Sequence, residues 1–134
     1  MTRREFERLV DEAVASIPAD FRREMRNLAL VIEDEPSADL LAEMEIEPPD
    51  TLYGLYQGTP LTEREWSNET ILPDRITLYR RTIEADGPDA DDIRAAIAET
   101  LIHEIGHYFG LSEEEIEEIE ERYWRGDDGQ DGPE

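Results

Sequence analysis

The sequence predicts a small α+β domain: a short mixed sheet of about three strands, with an N-terminal helix, a long helix over residues 91–110 and a short C-terminal helix. Three observations predict it. Apolar residues recur at three- and four-residue spacing near both ends of the chain. Short β-branched runs lie between them, and Pro or Gly marks most of the boundaries. At 134 residues the chain supports one modest core and not two.

The elements follow in order. Phe6, Leu9, Val10, Ala13, Val14 and Ile17 form one apolar stripe, with Thr2 and Glu5 as a capping box at its start and Pro18 at its end. A polar turn leads to LALVIEDE, residues 28–35, a β-branched run closed by Pro36 and read as a first strand. A helical turn is expected around Leu40 and Leu41, stopping at Pro48 and Pro49. TLYGLYQG, residues 51–58, reads as a second strand at or near an edge, because Gly54 interrupts it. A long polar connection, TPLTEREWSNETILPD, leads to RITLYRR, residues 75–81, the third strand, with Ile76 and Leu78 on one face and Thr77 and Tyr79 on the other. The long helix takes Asp91 or Asp92 as its cap and ends at Gly110. Ser112 with Glu115 forms a second capping box that opens the last helix, about 113–124. Residues 1–124 thus read as a single domain, and 125–134, rich in Gly and Asp, as a disordered acidic tail.

Composition narrows the function. The net charge is −23, and all 13 basic residues are arginine. Such a surface repels phosphates and anionic lipid, so no nucleic-acid or membrane partner is expected. The acids are spread through helices and loops, which fits a heavily solvated surface of the kind suited to high salt better than a single interaction block. No apolar run is long enough for a membrane span, and the charged N-terminus lacks the apolar centre of a secretory signal, so a cytoplasmic location is expected. The absence of cysteine excludes disulfides, thiolate metal sites and cysteine nucleophiles.

The chemistry concentrates in HEIGHYFGLSEEE, residues 103–115. The chain has only two histidines, and they fall four apart in the long helix. That spacing stacks His103 and His107 on one face, where two neutral imidazoles make rigid zinc donors. Glu104 is rotated round the helix, placed to accept a proton from water that zinc has acidified to a pKa of about 7 instead of ligating. Ala96 and Thr100, small residues beneath the histidines, leave room for a ligand. A third protein ligand is needed. Gly110 lets the chain turn back, and the extended spacing HExxHxxGxx[ligand] puts that ligand at Glu113. Glu117, one turn further on, is the alternative; Glu115 and Ser112 are committed to the cap, and Glu114 points elsewhere. One zinc ion is expected, with Glu104 as the catalytic base. Tyr79, Arg80 and Tyr108 are conceivable oxyanion stabilisers, but packing or surface roles suit each better. Arg75, Arg80 and Arg81 form a basic cluster best explained by pairing with neighbouring acids.

The segments TRREFERLVDEAVASIPADF, LALVIEDEP, LYGLYQGTPLTER, LPDRITLYRR and TLIHEIGHYFGLSEEEIEE resemble the minimal zincins, small bacterial proteins with a zincin-like metallopeptidase domain, over about residues 2–121. The resemblance implies a motif of the HExxHxxGxxD type, with His103 and His107 as ligands, Glu104 as general base, Gly110 at the turn and Glu113 in the third-ligand position. Glu stands here where that family usually has Asp. It implies peptide-bond hydrolysis and an edge strand, ITLYRR or LYGLYQG, that receives an extended peptide or protein substrate. The alternative is a metal-stabilised module that binds peptide or protein without cleaving it. A methionine turn of the metzincin kind is excluded, because Met1, Met25 and Met44 all precede the motif.

Overall fold

The computed structural model describes residues 1–58, 74–85, 87 and 89–124. Most of the connection at 59–74 and the whole tail at 125–134 lie outside the described residues, so the expectations for them stand as expectations.

Helix α1, Arg3–Ser16, opens on the expected box: the Glu5 backbone N–H donates to Thr2 Oγ1 at 3.1 Å, and the Thr2 N–H donates to Glu5 Oε1 at 2.7 Å. Its stripe of Phe6, Leu9, Val10 and Ala13 is buried, with Ile17 just beyond, and α1 lies along the long helix of the site. The expected polar turn is in fact helical: α2, Ala19–Glu24, continues into a 3-10 turn at Met25–Asn27 and buries Phe21. Strand β1 is Ala29–Glu33 and α3 is Ala38–Glu43, capped by Ser37. Strand β2, Gly54–Gln57, and strand β3, Arg75–Tyr79, complete a three-stranded sheet of order β1-β3-β2, with β1 parallel and β2 antiparallel to β3.

This order corrects one expectation about RITLYRR: the segment is the central strand, so ITLYRR is no edge. Ile76, Thr77, Leu78 and Tyr79 are all buried, as a central strand covered on both sides requires. The strand also stops at Tyr79, and Arg80–Glu84 is a short helix, α4. The Arg80 guanidinium pairs with Glu84 one helical turn on, at 3.0 Å, and with Asp34 after β1, at 3.3 Å. Arg81 pairs with Glu35 at 3.4 Å, while Arg75 donates to Gln57 Oε1 at 3.0 Å. Two of the three clustered arginines are therefore held by acids, as expected. Burial also accounts for both tyrosines, since Tyr79 and Tyr108 are each almost wholly enclosed.

Helix α5, Ala90–Phe109, carries the motif and supplies Ile97, Leu101, Ile102 and Ile105 to the core. Its N-cap is Asp89; Asp91 and Asp92 lie in the first turn, where they favour the positive end of the helix dipole. Helix α6, Glu113–Trp124, folds back along α5 and buries Ile116. No helix among the described residues is long and apolar enough to cross a membrane.

Candidate metal centre

Three local rules set up the site. The i, i+4 spacing brings the rings of His103 and His107 to 4.7 Å between centroids. Gly110 ends α5 with φ at +78°, a left-handed conformation that glycine adopts without strain. The Leu111 N–H then reaches back to the Gly106 carbonyl at 3.0 Å, and the Gly110 N–H to that of His107 at 3.0 Å, a Schellman closure that reverses the chain. The Ser112–Glu115 box next starts α6: the Glu115 N–H donates to Ser112 Oγ at 3.1 Å, and the Ser112 N–H to Glu115 Oε1 at 2.8 Å. Glu115 is thereby occupied.

The reversal delivers Glu113 to the histidines. Its Oε2 lies 3.1 Å from His107 Nε2 and its Oε1 3.5 Å from His103 Nε2. One carboxylate spans both rings. The hydrogen bond with His107 holds the Glu113 carboxyl below its usual range, and the His103 imidazole adds to this. Glu114 and Glu117 are exposed. The glutamate that does reach the site from further along α6 is Glu120, whose Oε2 is 3.8 Å from His103 Nδ1. Glu117 faces solvent because Ile116 is the residue turned inward against α5, and Glu120 lies one helical turn beyond it on the same face. Spacing alone does not separate Glu120 from Glu117, since both lie at helical spacing from Glu113; the burial of Ile116 decides between them.

Glu104 sits deep, at 8% exposure. Its Oε1 accepts the Tyr56 backbone N–H at 2.8 Å and lies 3.5 Å from His107 Nδ1. Burial pushes the Glu104 carboxyl up; the Tyr56 N–H and the two imidazoles pull against that without reversing it. Tyr56 was invisible to sequence reasoning because it acts through its backbone. Strand β2 is an edge of the sheet among the described residues, and its odd-numbered groups face β3, as the Tyr79 N–H to Tyr53 carbonyl bond at 2.9 Å shows. Tyr56 therefore turns its N–H the other way, towards α5. Gly54 allows this approach: a Cβ there would stand 2.6 Å from Thr100 Cγ2. Gly54 thus marks a close strand–helix contact as well as an edge. Thr100 does line the space beside His103, as expected, whereas Ala96 belongs to the core.

A cavity of about 490 Å³ adjoins the site, lined by residues 51–54 of the strand side, Glu99, Thr100, His103 and Glu104 of α5, and Glu120. His103, Glu104 and His107 offer ligand atoms that all lie within 4.8 Å of one another. Glu113, across both Nε2 atoms, could add a carboxylate to the two imidazoles, a combination of donors that fits a zinc ion. In the comparison with protein families, residues 25–123 match the model of the zincin-like metallopeptidases. The comparison with curated proteins gave no match.

Proposed function

The chain belongs to the zincin-like metallopeptidase family, and from that premise we infer that it hydrolyses peptide bonds at one zinc ion held by His103, His107 and Glu113. The observation that carries this reading is the Glu113 carboxylate spanning both Nε2 atoms while Glu104 stands buried beside the same pair. A zinc ion in such a donor set acidifies water and polarises a carbonyl oxygen. The residues do the rest. Glu104 takes the proton of the attacking water and later delivers it to the leaving amine nitrogen. Its burial raises its proton affinity towards the range a general base needs, and the Tyr56 N–H fixes one of its oxygens, leaving the other for transfer. An extended peptide pairs with the outward backbone groups of the β2 side, entering along residues 51–54, where the cavity opens. The Tyr56 N–H is already committed to Glu104, so pairing starts before it in the strand.

The test is zinc content followed by a peptide library offered to the wild type and to Glu104→Gln. Stoichiometric zinc in both, with cleavage only by the wild type, is the expected result. Zinc-loaded wild type that cleaves no peptide would leave a metal-stabilised binding module as the better reading. Protein that takes up no zinc after reconstitution would end both.

A further inference from the structure

Glu120 is the glutamate that the motif does not contain and the fold nevertheless brings to His103. We propose that Glu120 is a positioning residue that holds the His103 ring with its proton on Nδ1, so that Nε2 is free to donate to zinc; this rests on the reading of the site given above. An imidazole that donates through one nitrogen keeps its proton on the other, and an acceptor there fixes both tautomer and ring orientation. His103 Nε2 faces Glu113, and Nδ1 faces Glu120 at 3.8 Å, about 0.8 Å beyond a hydrogen bond of about 3.0 Å. The two nitrogens of one ring are thus assigned to two carboxylates from the same helix, seven residues apart.

The surroundings of Glu120 argue that its place is not incidental. Its side chain is only 19% exposed. It lines one cavity with Glu99, Glu104 and His103, so two further carboxylates stand around the same space. A carboxylate kept among like charges is favoured by a nearby donor, and the His103 ring nitrogen Nδ1 stands 3.8 Å from it. A role confined to packing would be served better by an apolar residue, since Ile116 and Ile119 of the same helix already pack against α5 or the core.

The test compares zinc affinity, by competition with a chromophoric chelator, for wild type, Glu120→Ala, Glu120→Gln and Glu99→Gln. Loss of an outer carboxylate typically weakens metal binding about 10–100-fold. That loss is expected for Glu120→Ala, with most of it recovered in Glu120→Gln, whose amide oxygen still accepts. Glu99→Gln removes a negative charge from the same cavity without touching His103 and should stay within about twofold of wild type. Long-range proton–nitrogen spectra of the zinc-loaded protein should show the His103 Nδ1–H signal shifted or broadened in Glu120→Ala. An affinity for Glu120→Ala within about twofold of wild type, an equal loss in Glu99→Gln, or an unaltered Nδ1–H signal would each overturn the assignment. Wild type that binds zinc tightly beside an unaffected Glu120→Ala refutes this inference alone. Wild type that binds none refutes the metal reading beneath it.

Discussion

Gly106 lies between the two histidines, and replacing it with alanine tests whether α6 is held where the site needs it. In isolation the change favours α5, because alanine is better than glycine in a helix interior by about 0.8–1.0 kcal/mol. The structure opposes it: a Cβ at Gly106 would stand 2.6 Å from Ile116 Cγ1 and 2.8 Å from Ile116 Cδ1. Ile116 is completely buried, so it has little freedom to move aside. Overpacking of this kind costs about 1–3 kcal/mol, leaving Gly106→Ala destabilised by about 0–2 kcal/mol net. In an Ile116→Ala background the obstruction is gone, and the same substitution should stabilise by about 1 kcal/mol. The sign therefore reverses between backgrounds, a coupling of about 1–3 kcal/mol that urea unfolding of the four proteins without zinc measures directly. Zinc affinity should fall in Gly106→Ala as well, since α6 carries both Glu113 and Glu120. Stabilisation by about 1 kcal/mol in both backgrounds would refute the reasoning, because α5 and α6 would then not approach each other at this point.

Further outcomes can be measured on the same protein. Glu113→Ala should lose zinc affinity by at least tenfold while Glu117→Ala stays near wild type, because only the former touches the histidines; equal losses would displace Glu113 from the ligand set. The Glu104 carboxyl has its proton affinity raised in the folded chain above the ordinary 4.5, so between those two values the folded state holds the extra proton. Its contribution to the stability of the zinc-free protein is then full below about pH 4.5 and is lost as pH rises through the folded value. Glu104→Gln should remove that part of the decline, seen as a smaller difference between urea midpoints at pH 4.5 and 7. The charge of −23 predicts an unfolding midpoint that climbs with sodium chloride as the screening length shrinks from about 10 Å at 0.1 M to about 3 Å at 1 M. A midpoint indifferent to salt would remove the high-salt explanation of the acidic surface.

What the amino-acid sequence determined by itself is local. The Thr2–Glu5 and Ser112–Glu115 boxes, the left-handed stop at Gly110 and the stacking of His103 on His107 each involve residues no more than four apart. Their geometry is fixed by the helix itself, so spacing was enough to read them. Glu113 was legible for the same reason, since a short turn and a cap carry it back to the histidines. Tertiary packing decided the rest. Nothing within RITLYRR says that a strand will be flanked on both sides, or that Arg80 will find Asp34 and Glu84 and begin a helix. Nor does a row of glutamates declare which face of α6 will turn inward. That choice was made by the bare backbone of Gly106 receiving Ile116, which brings Glu120 to His103 and leaves Glu117 in solvent. Helical periodicity offers every face of a helix equally, and only contact with a second surface selects one.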